Sequence, residues 1–386
     1  MSDADPFCFA GRALPSLFII GAQKCATTSM ARLLFAPPFN YTLGTRFYDG
    51  LGYSDTKEHH FLDRTKRYQR GLAHYASTFP RCGRTVRTLD ATPDYLHTHG
   101  AAARLAALYG PERIRRTTFV ASLCEPVHRA QSAHYHFRGY LLVPPYFSTP
   151  TRKHIRTPWL TFRQLAHRDV VAEDLDGAMW TWGRYSAQLE EWANATARVH
   201  VIPLPLYSHH EQATLHELAC LDAARRSGSE LAASSCAQAH LREPPPGPHI
   251  GSHPHPKLDA DINRDDALAV AQSFAASNRR VYELLAHDTR FPTVPSGLSA
   301  SEYGKRFLDL VLSEDDERPG TAWSWVLDRP SPAVAWLPYM PYNATRVEQA
   351  SELLMALGVG ATALLVGSRL VACASRNRRP TSTLLV

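Results

Sequence analysis

Residues Leu17–Phe35, LFIIGAQKCATTSMARLLF, decide the fold. Leu17–Ile20 is an apolar, β-compatible run, Gly21 permits a tight turn, and Thr27, Thr28 and Ser29 stand where a helix would begin. Met30, Leu33 and Leu34 then supply an apolar helical stripe. The stretch predicts a buried strand, a short loop and an amphipathic helix. A helix start with free backbone N–H groups, flanking hydroxyls and a lysine suits a phosphate or sulfate group. It is not a Walker A loop, because the lysine precedes the hydroxyls and no second glycine stands before it. The blander reading is a βα turn whose hydroxyls only cap the helix.

Lysine usage sharpens the point. Of 42 Lys+Arg only six are lysine, at 24, 57, 66, 153, 257 and 305. Arginine is the default cation here, so Lys24 suggests a need for a compact point charge rather than a planar fork.

Outside this loop the chain reads as alternating strand and helix. Strand candidates are Leu17–Ile20, Thr85–Leu89, Thr117–Leu123 and Val199–Leu204. Helical segments are expected near Ser29–Phe35, Ala101–Tyr109, Val127–Phe137 and Arg184–Ala193, with one or two more over Asp266–Ala286. The pattern implies an α/β fold of three layers, P-loop-like, with a central parallel sheet flanked by helices. Ligands on such sheets bind beyond the carboxyl ends of the strands, where the Lys24 loop falls. Pro144–Pro158 and Ser227–Pro256 read as loop-rich.

The chain has 386 residues, 44% hydrophobic, with a formal charge of +6 and a pI near 8.9. That balance suits an anionic cofactor and an anionic polymer. No helix-turn-helix, zinc-finger or RRM signature accompanies it, so nucleic acid is not the expected partner. Seven cysteines, at 8, 25, 82, 124, 220, 236 and 373, are too scattered for a disulfide-built fold. Cys220 and Cys236 could close a loop in an oxidising compartment, but spacing alone does not show it. No CxxC pair occurs, and none of the histidine pairs has a convincing third ligand, so no metal is expected.

The N-terminus lacks the features of a signal peptide. Residues 351–375 are mostly apolar and about one bilayer in length. They read either as a membrane anchor interrupted by Arg369 or as a hydrophobic terminal helix packed on the domain. If the segment spans, Arg376, Arg378 and Arg379 stay cytoplasmic and the main domain faces the lumen. Three sequons, at Asn40, Asn194 and Asn343, among only six asparagines favour lumenal exposure.

A second landmark is Lys57-Glu58-His59-His60-Phe61-Leu62. With the Lys24 loop, it resembles the PAPS-dependent sulfotransferases (PAPS is 3′-phosphoadenosine 5′-phosphosulfate), in particular the heparan sulfate and chondroitin sulfate branch. That branch carries Lys-Glu-x-His-Phe-Phe with the glutamate as base. Read alone, the segment is a polar turn; about thirty residues after the Lys24 loop it reads as catalytic. Arg67–Tyr75 resembles the family's Tyr-x-x-Gly-x-x-x-Tyr stretch. Asp90-Ala91-Thr92-Pro93-Asp94-Tyr95 resembles Glu-x-[Ser/Thr]-Pro-x-Tyr, although several members have lysine where Ala91 stands.

The third landmark, Cys124-Glu125-Pro126-Val127-His128-Arg129-Ala130-Gln131-Ser132-Ala133-His134-Tyr135, resembles Arg-Asp-Pro-x-x-Arg-x-x-Ser-x-x-Tyr. The family's first arginine and its serine hold the 3′-phosphate. Here the arginine is Cys124, which cannot make a charge-assisted fork, so an arginine restored at 124 is expected to tighten nucleotide binding. Gly183–Trp192 and Asn278–Leu285 resemble two further family helices. His249–Pro256 stands where members often carry a basic Lys-Gly-Arg loop.

The resemblance implies a sulfotransferase domain over 14–292, an irregular extension over 293–350 and the apolar segment over 351–375. It implies a Golgi membrane enzyme with a lumenal catalytic domain, using PAPS and a carbohydrate or polysaccharide acceptor. Lys24 would bind the 5′-phosphate and assist its departure, and Cys25, Ala26, Thr27, Thr28 and Ser29 would cradle the phosphosulfate. Glu58 would be the base, with His60 positioning it or the acceptor. Arg129 and Ser132 would hold the 3′-phosphate. Two other readings stay open: a non-enzymatic descendant that binds glycans, and a P-loop phosphotransferase, for which no magnesium carboxylate is evident.

Overall fold

The computed structural model describes residues 5–47, 56–83, 85–141, 161–166, 180–229, 262–296 and 307–310. A short hairpin, β1 (Cys8–Phe9) and β2 (Arg12–Ala13), precedes the central strand β3 (Leu17–Gly21). Then come helices α1 (Thr27–Phe35), α2 (Thr65–Tyr68) and α3 (Gly71–Ser77), strand β4 (Leu89–Asp90) and a 3₁₀ turn at Pro93–Tyr95. Helix α4 (Ala101–Arg116), strand β5 (Thr118–Leu123) and helices α5 (Pro126–Leu141), α6 (Phe162–Ala166) and α7 (Tyr185–Thr196) follow. Strand β6 (His200–Pro203) and helices α8 (Leu204–His209), α9 (Glu211–Ser227), α10 (Arg264–Gln272) and α11 (Ala275–His287) complete the described elements.

The sheet has the order β4-β3-β5-β6 with every pair parallel. Phe18 pairs with Phe119, and Val120 with His200. β3, β5 and β6 are buried at every position, as expected where both faces of a parallel sheet are covered. Alternation decides which face each side chain meets. Phe18 and Phe119 turn to Tyr109 on α4 and Trp192 on α7, with ring centroids 5.7 Å apart in each case. The expected α/β architecture is thus present.

The elements differ from the sequence reading in several places, and the β1–β2 hairpin and helices α2, α3 and α6 are not among the expected elements. The strand expected over Thr85–Leu89 is reduced to Leu89–Asp90. Arg226 donates to the Val86 carbonyl, Arg87 lies over the Tyr41 ring, and only the last residues align with β3. Helix α4 runs past Tyr109 to Arg116, with a break at Gly110 (φ 71°, ψ 168°) that glycine tolerates. Helices α8 and α9 are not among the expected elements; α9 carries no simple apolar stripe, because it buries Glu211, Glu217 and Asp222 beside its leucines.

Two segments tie down the periphery. A Cys8–Cys82 disulfide joins the hairpin to the chain after α3. Thr293 bridges Val201 on the edge strand, and buried Leu308 accepts a 2.7 Å hydrogen bond from Asn278 through its carbonyl. Cys220 is also disulfide-bonded; Cys236 lies outside the described residues. Asn40 and Asn194 are exposed, whereas Asn343, most of the two loop-rich stretches, His249–Pro256 and residues 351–375 lie outside the described residues. Among the described residues no helix is long and apolar enough to cross a membrane.

Candidate active site

The Lys24 loop emerges from the carboxyl end of β3, in the middle of the sheet. Ala22 N–H donates to the Ser122 carbonyl of β5 at 2.7 Å, and Cys25 N–H to Ala22 at 3.1 Å. Lys24 (φ 75°) and Ala26 (φ 63°) both adopt left-handed backbone, on either side of Cys25. Such residues cost about 1–3 kcal/mol each and persist where the surroundings over-determine them. Left-handed residues within a turn aim successive N–H groups into one concavity, which suits an anion. Ala26 is the N-cap of α1 and offers no side-chain cap, so the helix's first N–H groups are left to whatever lies ahead of them. Thr27 and Ser29 are buried and Thr28 half-buried. Burial pulls the Lys24 ammonium down to about 8; Glu58 works against this shift and Lys57 adds to it.

The second element of the site is the segment from Lys57 to Asp63. Asp90 organises it from beneath. Its carboxylate accepts Tyr75 and Tyr95 hydroxyls at 2.7 and 2.9 Å on one oxygen and Thr92 at 2.7 Å on the other. Tyr95 in turn accepts the Phe61 N–H at 3.1 Å, and Ala91 N–H donates to the Lys57 carbonyl at 3.0 Å. Buried Arg67 donates to the His59 carbonyl at 3.0 Å. The segment is therefore fixed to the strand end by backbone and buried side-chain bonds.

These bonds present Glu58 half-buried, paired with Lys57 and with His60 Nε2 at 3.4 Å from its other oxygen. Burial would raise the Glu58 carboxyl, but Lys57 and His60 hold it well below the usual carboxylate range. His60 Nδ1 meets Asp63 at 2.8 Å and Asp94 at 3.7 Å. Burial alone would lower His60; Asp63, Glu58 and Asp94 outweigh it and keep the imidazole protonated. Burial raises Asp94 to about 6, opposed by His60 and reinforced by Asp63 and Glu58. Asp94 also accepts from Gln23 of the Lys24 loop at 3.1 Å, which ties the two loops together. Ligand atoms of His60, Asp63 and Asp94 lie within 4.8 Å of one another. An imidazolium between carboxylates already supplies the positive charge that a cation would bring there.

The third element is the start of α5. Glu125 takes the place of the family's aspartate and acts as a cap: its oxygens accept Val127 and His128 N–H groups at 2.8 Å each. Arg129, one turn on, is 1% exposed, and Ser132 is half-buried. Burial lowers the Arg129 guanidinium, while Tyr185 and Glu125 oppose the shift. His97, half-buried, stacks on Trp182 at 4.0 Å, and Phe137 of α5 meets the Trp182 edge at 5.9 Å. Burial and the charge of Arg129 lower His97 to about 3, so it is neutral.

Cys124 is not a free thiol beside an empty cationic position. It is bonded to Cys25, with 5.5 Å between the α-carbons, and both residues are buried. Tyr185 OH donates to the Cys124 carbonyl at 3.0 Å and lies 3.8 Å from Cys25 Sγ. This corrects the expectation for an arginine at 124. That change removes a disulfide and places a charge in a 2% exposed position, so it cannot simply restore a phosphate contact.

The fold thus brings Lys24, Glu58 and His60 to one strand end and ties the start of α5, which carries Arg129 and Ser132, to the same loop. Sequence reasoning missed Asp63, Asp94, Gln23 and the disulfide. Asp63 had a signal, standing three residues after His60 and five after Glu58. The disulfide had none, because its halves are 99 residues apart.

No protein-family model matches the chain. Among curated proteins it is 28% identical over 179 residues to heparan sulfate glucosamine 3-O-sulfotransferase 3B1 of Mus musculus, covering 46% of this chain and 38% of that protein. It is 29% identical over 183 residues to heparan sulfate glucosamine 3-O-sulfotransferase 6 of Homo sapiens, covering 47% and 43%. The chain therefore spans about two fifths of the length of these relatives. A sulfotransferase structure from Alicyclobacillus acidocaldarius aligns with TM-score 0.44 and 20% identity over 72% of this chain and 97% of that one. The curated relatives bear out the resemblance read from the motifs: the chain is similar to sulfotransferases of the heparan sulfate branch.

Proposed function

We propose that the chain is a PAPS-dependent sulfotransferase acting on a hydroxyl or amine of a carbohydrate acceptor. The observation that carries this reading is the meeting of a lysine-bearing anion loop with an ionised glutamate: Glu58 lies close enough to Lys24 for its charge to favour the ammonium. The donor set fits an anionic nucleotide. The Lys24–Ser29 loop offers backbone N–H groups and one ammonium to a phosphosulfate, and buried Arg129 with Ser132 offers a cation and a hydroxyl to a second phosphate. When bound, PAPS supplies a sulfuryl group on a phosphate leaving group.

Each residue then has a defined task. Lys24 faces the charge that develops on the leaving phosphate. Glu58, ionised, accepts the proton that the acceptor gives up. With its proton affinity held low by Lys57 and His60, Glu58 is a weak base until the pull of one partner is relieved; Lys57, whose charge also acts on Lys24, is the partner an arriving anion would draw on. His60 is already protonated, so it positions Glu58 and does not compete for the proton, and Asp63 holds His60 in place. The His97–Trp182 stack offers an aromatic wall next to Arg129.

A transfer assay with labelled PAPS against a panel of polysaccharides tests the reading, run beside calorimetric binding of the desulfated nucleotide PAP. Transfer to one member supports it. Binding of a polysaccharide with neither PAP binding nor transfer points to the glycan-binding descendant. Absence of both PAP binding and transfer removes the reading.

A further inference from the structure

The Cys25–Cys124 bond sits where the loop's backbone is least comfortable. Cys25 lies between two non-glycine residues in left-handed backbone, Lys24 (φ 75°) and Ala26 (φ 63°). Each relaxes into an ordinary conformation unless something holds it. Ala26 has no side-chain cap to fix the start of α1. Ala22 N–H holds the turn to Ser122 and Cys25 N–H closes it back on Ala22; beyond it Met30 N–H donates to the Ala26 carbonyl as α1 begins, and Tyr207 OH donates to Ser29 Oγ at 3.3 Å. The disulfide adds the covalent tie, which fixes the loop to the end of β5 at Cys124. Glu125, the next residue, caps α5, the helix that carries Arg129 and Ser132. Tyr185 closes the arrangement by contacting both halves of the bridge.

We infer that the Cys25–Cys124 disulfide is a positioning element for the donor site. It holds the anion-binding turn in its bound shape before the nucleotide arrives, and it fixes the distance between that turn and the helix carrying the second phosphate contact. Cys25 and Cys124 touch no reacting atom in this scheme; they act through the backbone of Lys24 and Ala26 and through the start of α5. The loop then loses less conformational entropy when the ligand binds, which is how preorganisation raises affinity. The scheme also makes the donor site dependent on oxidation, since the bridge forms only where thiols are oxidised.

The inference rests on the sulfotransferase reading, and the test separates the two. PAP affinity is measured by calorimetry for the full chain and for Cys25→Ala, Cys124→Ser and the apolar double variant Cys25→Ala/Cys124→Val, which keeps the site packed. Cys8→Ser/Cys82→Ser, which removes a disulfide away from the site, controls for general loss of stability, and circular dichroism confirms folding of each. The expected result is PAP binding weakened about tenfold or more in all three site variants. The double variant should be no worse than the singles, because one bond is lost in each case. The donor KM rises with a smaller change in kcat, and the control keeps wild-type affinity. Hydrogen exchange of residues 22–28 rises in the site variants and falls again on PAP binding. Wild-type PAP affinity in a folded double variant, or an equal loss in the control, overturns the inference alone. Failure of the wild-type chain to bind PAP overturns the sulfotransferase reading and this inference with it.

Discussion

The two ends of the candidate donor site are built differently. At the sulfuryl end, Lys24, Lys57, Glu58, His60, Asp63 and Asp94 form a cluster of charged groups, in which Glu58 and Lys57 act on Lys24, Lys57 and His60 on Glu58, and the carboxylates on His60. At the nucleotide end, the start of α5 holds one buried cation, Arg129, a hydroxyl and a disulfide. The contrast follows from the work each end would do. Charge moves at the first end, so side chains that carry and exchange protons are concentrated there. At the second end nothing changes during transfer, so a covalent tether and a fixed cation suffice.

The comparison is broken most directly at Lys24. Lys24→Ala is expected to lower transfer by about 10³-fold and to weaken PAP binding, because it removes the charge facing the leaving phosphate. Retention of most activity in a labelled-sulfate assay would detach this loop from the chemistry. At the other end, Arg129→Met is expected to weaken PAP about 10–100-fold, the loss of a charge-assisted contact. A nucleotide lacking the 3′-phosphate should bind both forms alike. If both nucleotides weaken equally, Arg129 supports the fold and not the phosphate.

A pH series sharpens the sulfuryl end. Lys24 is lowered to about 8 by burial, so above that pH the free site loses the proton that an anion needs. PAP affinity should fall as pH rises past about 8, by at most about tenfold per unit. Lys24→Arg should bind PAP with no such fall. A flat profile in the wild type would place the anion elsewhere.

The smallest effect concerns the core. His200, 3% exposed on β6, is lowered to about 3 by burial, then by Arg225 and Arg198. Its folded value lies below the unfolded one, so its contribution is complete above about pH 6.5 and is lost as pH falls towards about 3. Thermal unfolding followed from pH 7 to 4 should show stability falling by at most about 1.4 kcal/mol per pH unit from this group. His200→Leu should have a shallower acid limb; an identical limb would mean that other groups govern it.

Much of the fold was legible because β3, β5 and β6 are near-continuous apolar runs between helical stretches, and such runs are buried strands. β4 was misplaced because Thr85–Leu89 mixes polar and apolar residues and only its end pairs. α9 was missed because buried carboxylates at 211, 217 and 222 interrupt the apolar period that marks a helix, and α8, six residues with a proline in its first turn, is too short to show a period. In the site, Lys24, Glu58 and His60 were readable from local motifs. The Asp90 hub and the Gln23–Asp94 link were not, since they depend on which loops the topology brings together. Cys124 was read as a lost arginine; only the geometry shows its bond to Cys25.

The measurement that bears most directly on the account takes Glu58→Gln through two assays on the same preparation. Calorimetry should show PAP binding nearly unchanged, because in the proposed mechanism the glutamate meets the acceptor proton and not the nucleotide. Labelled-sulfate transfer to the best polysaccharide of the panel should fall by about 10²-fold or more, as for loss of a general base. Undiminished transfer, or a collapse of PAP binding with the fold intact, would contradict the assignment of Glu58 and with it the proposed site.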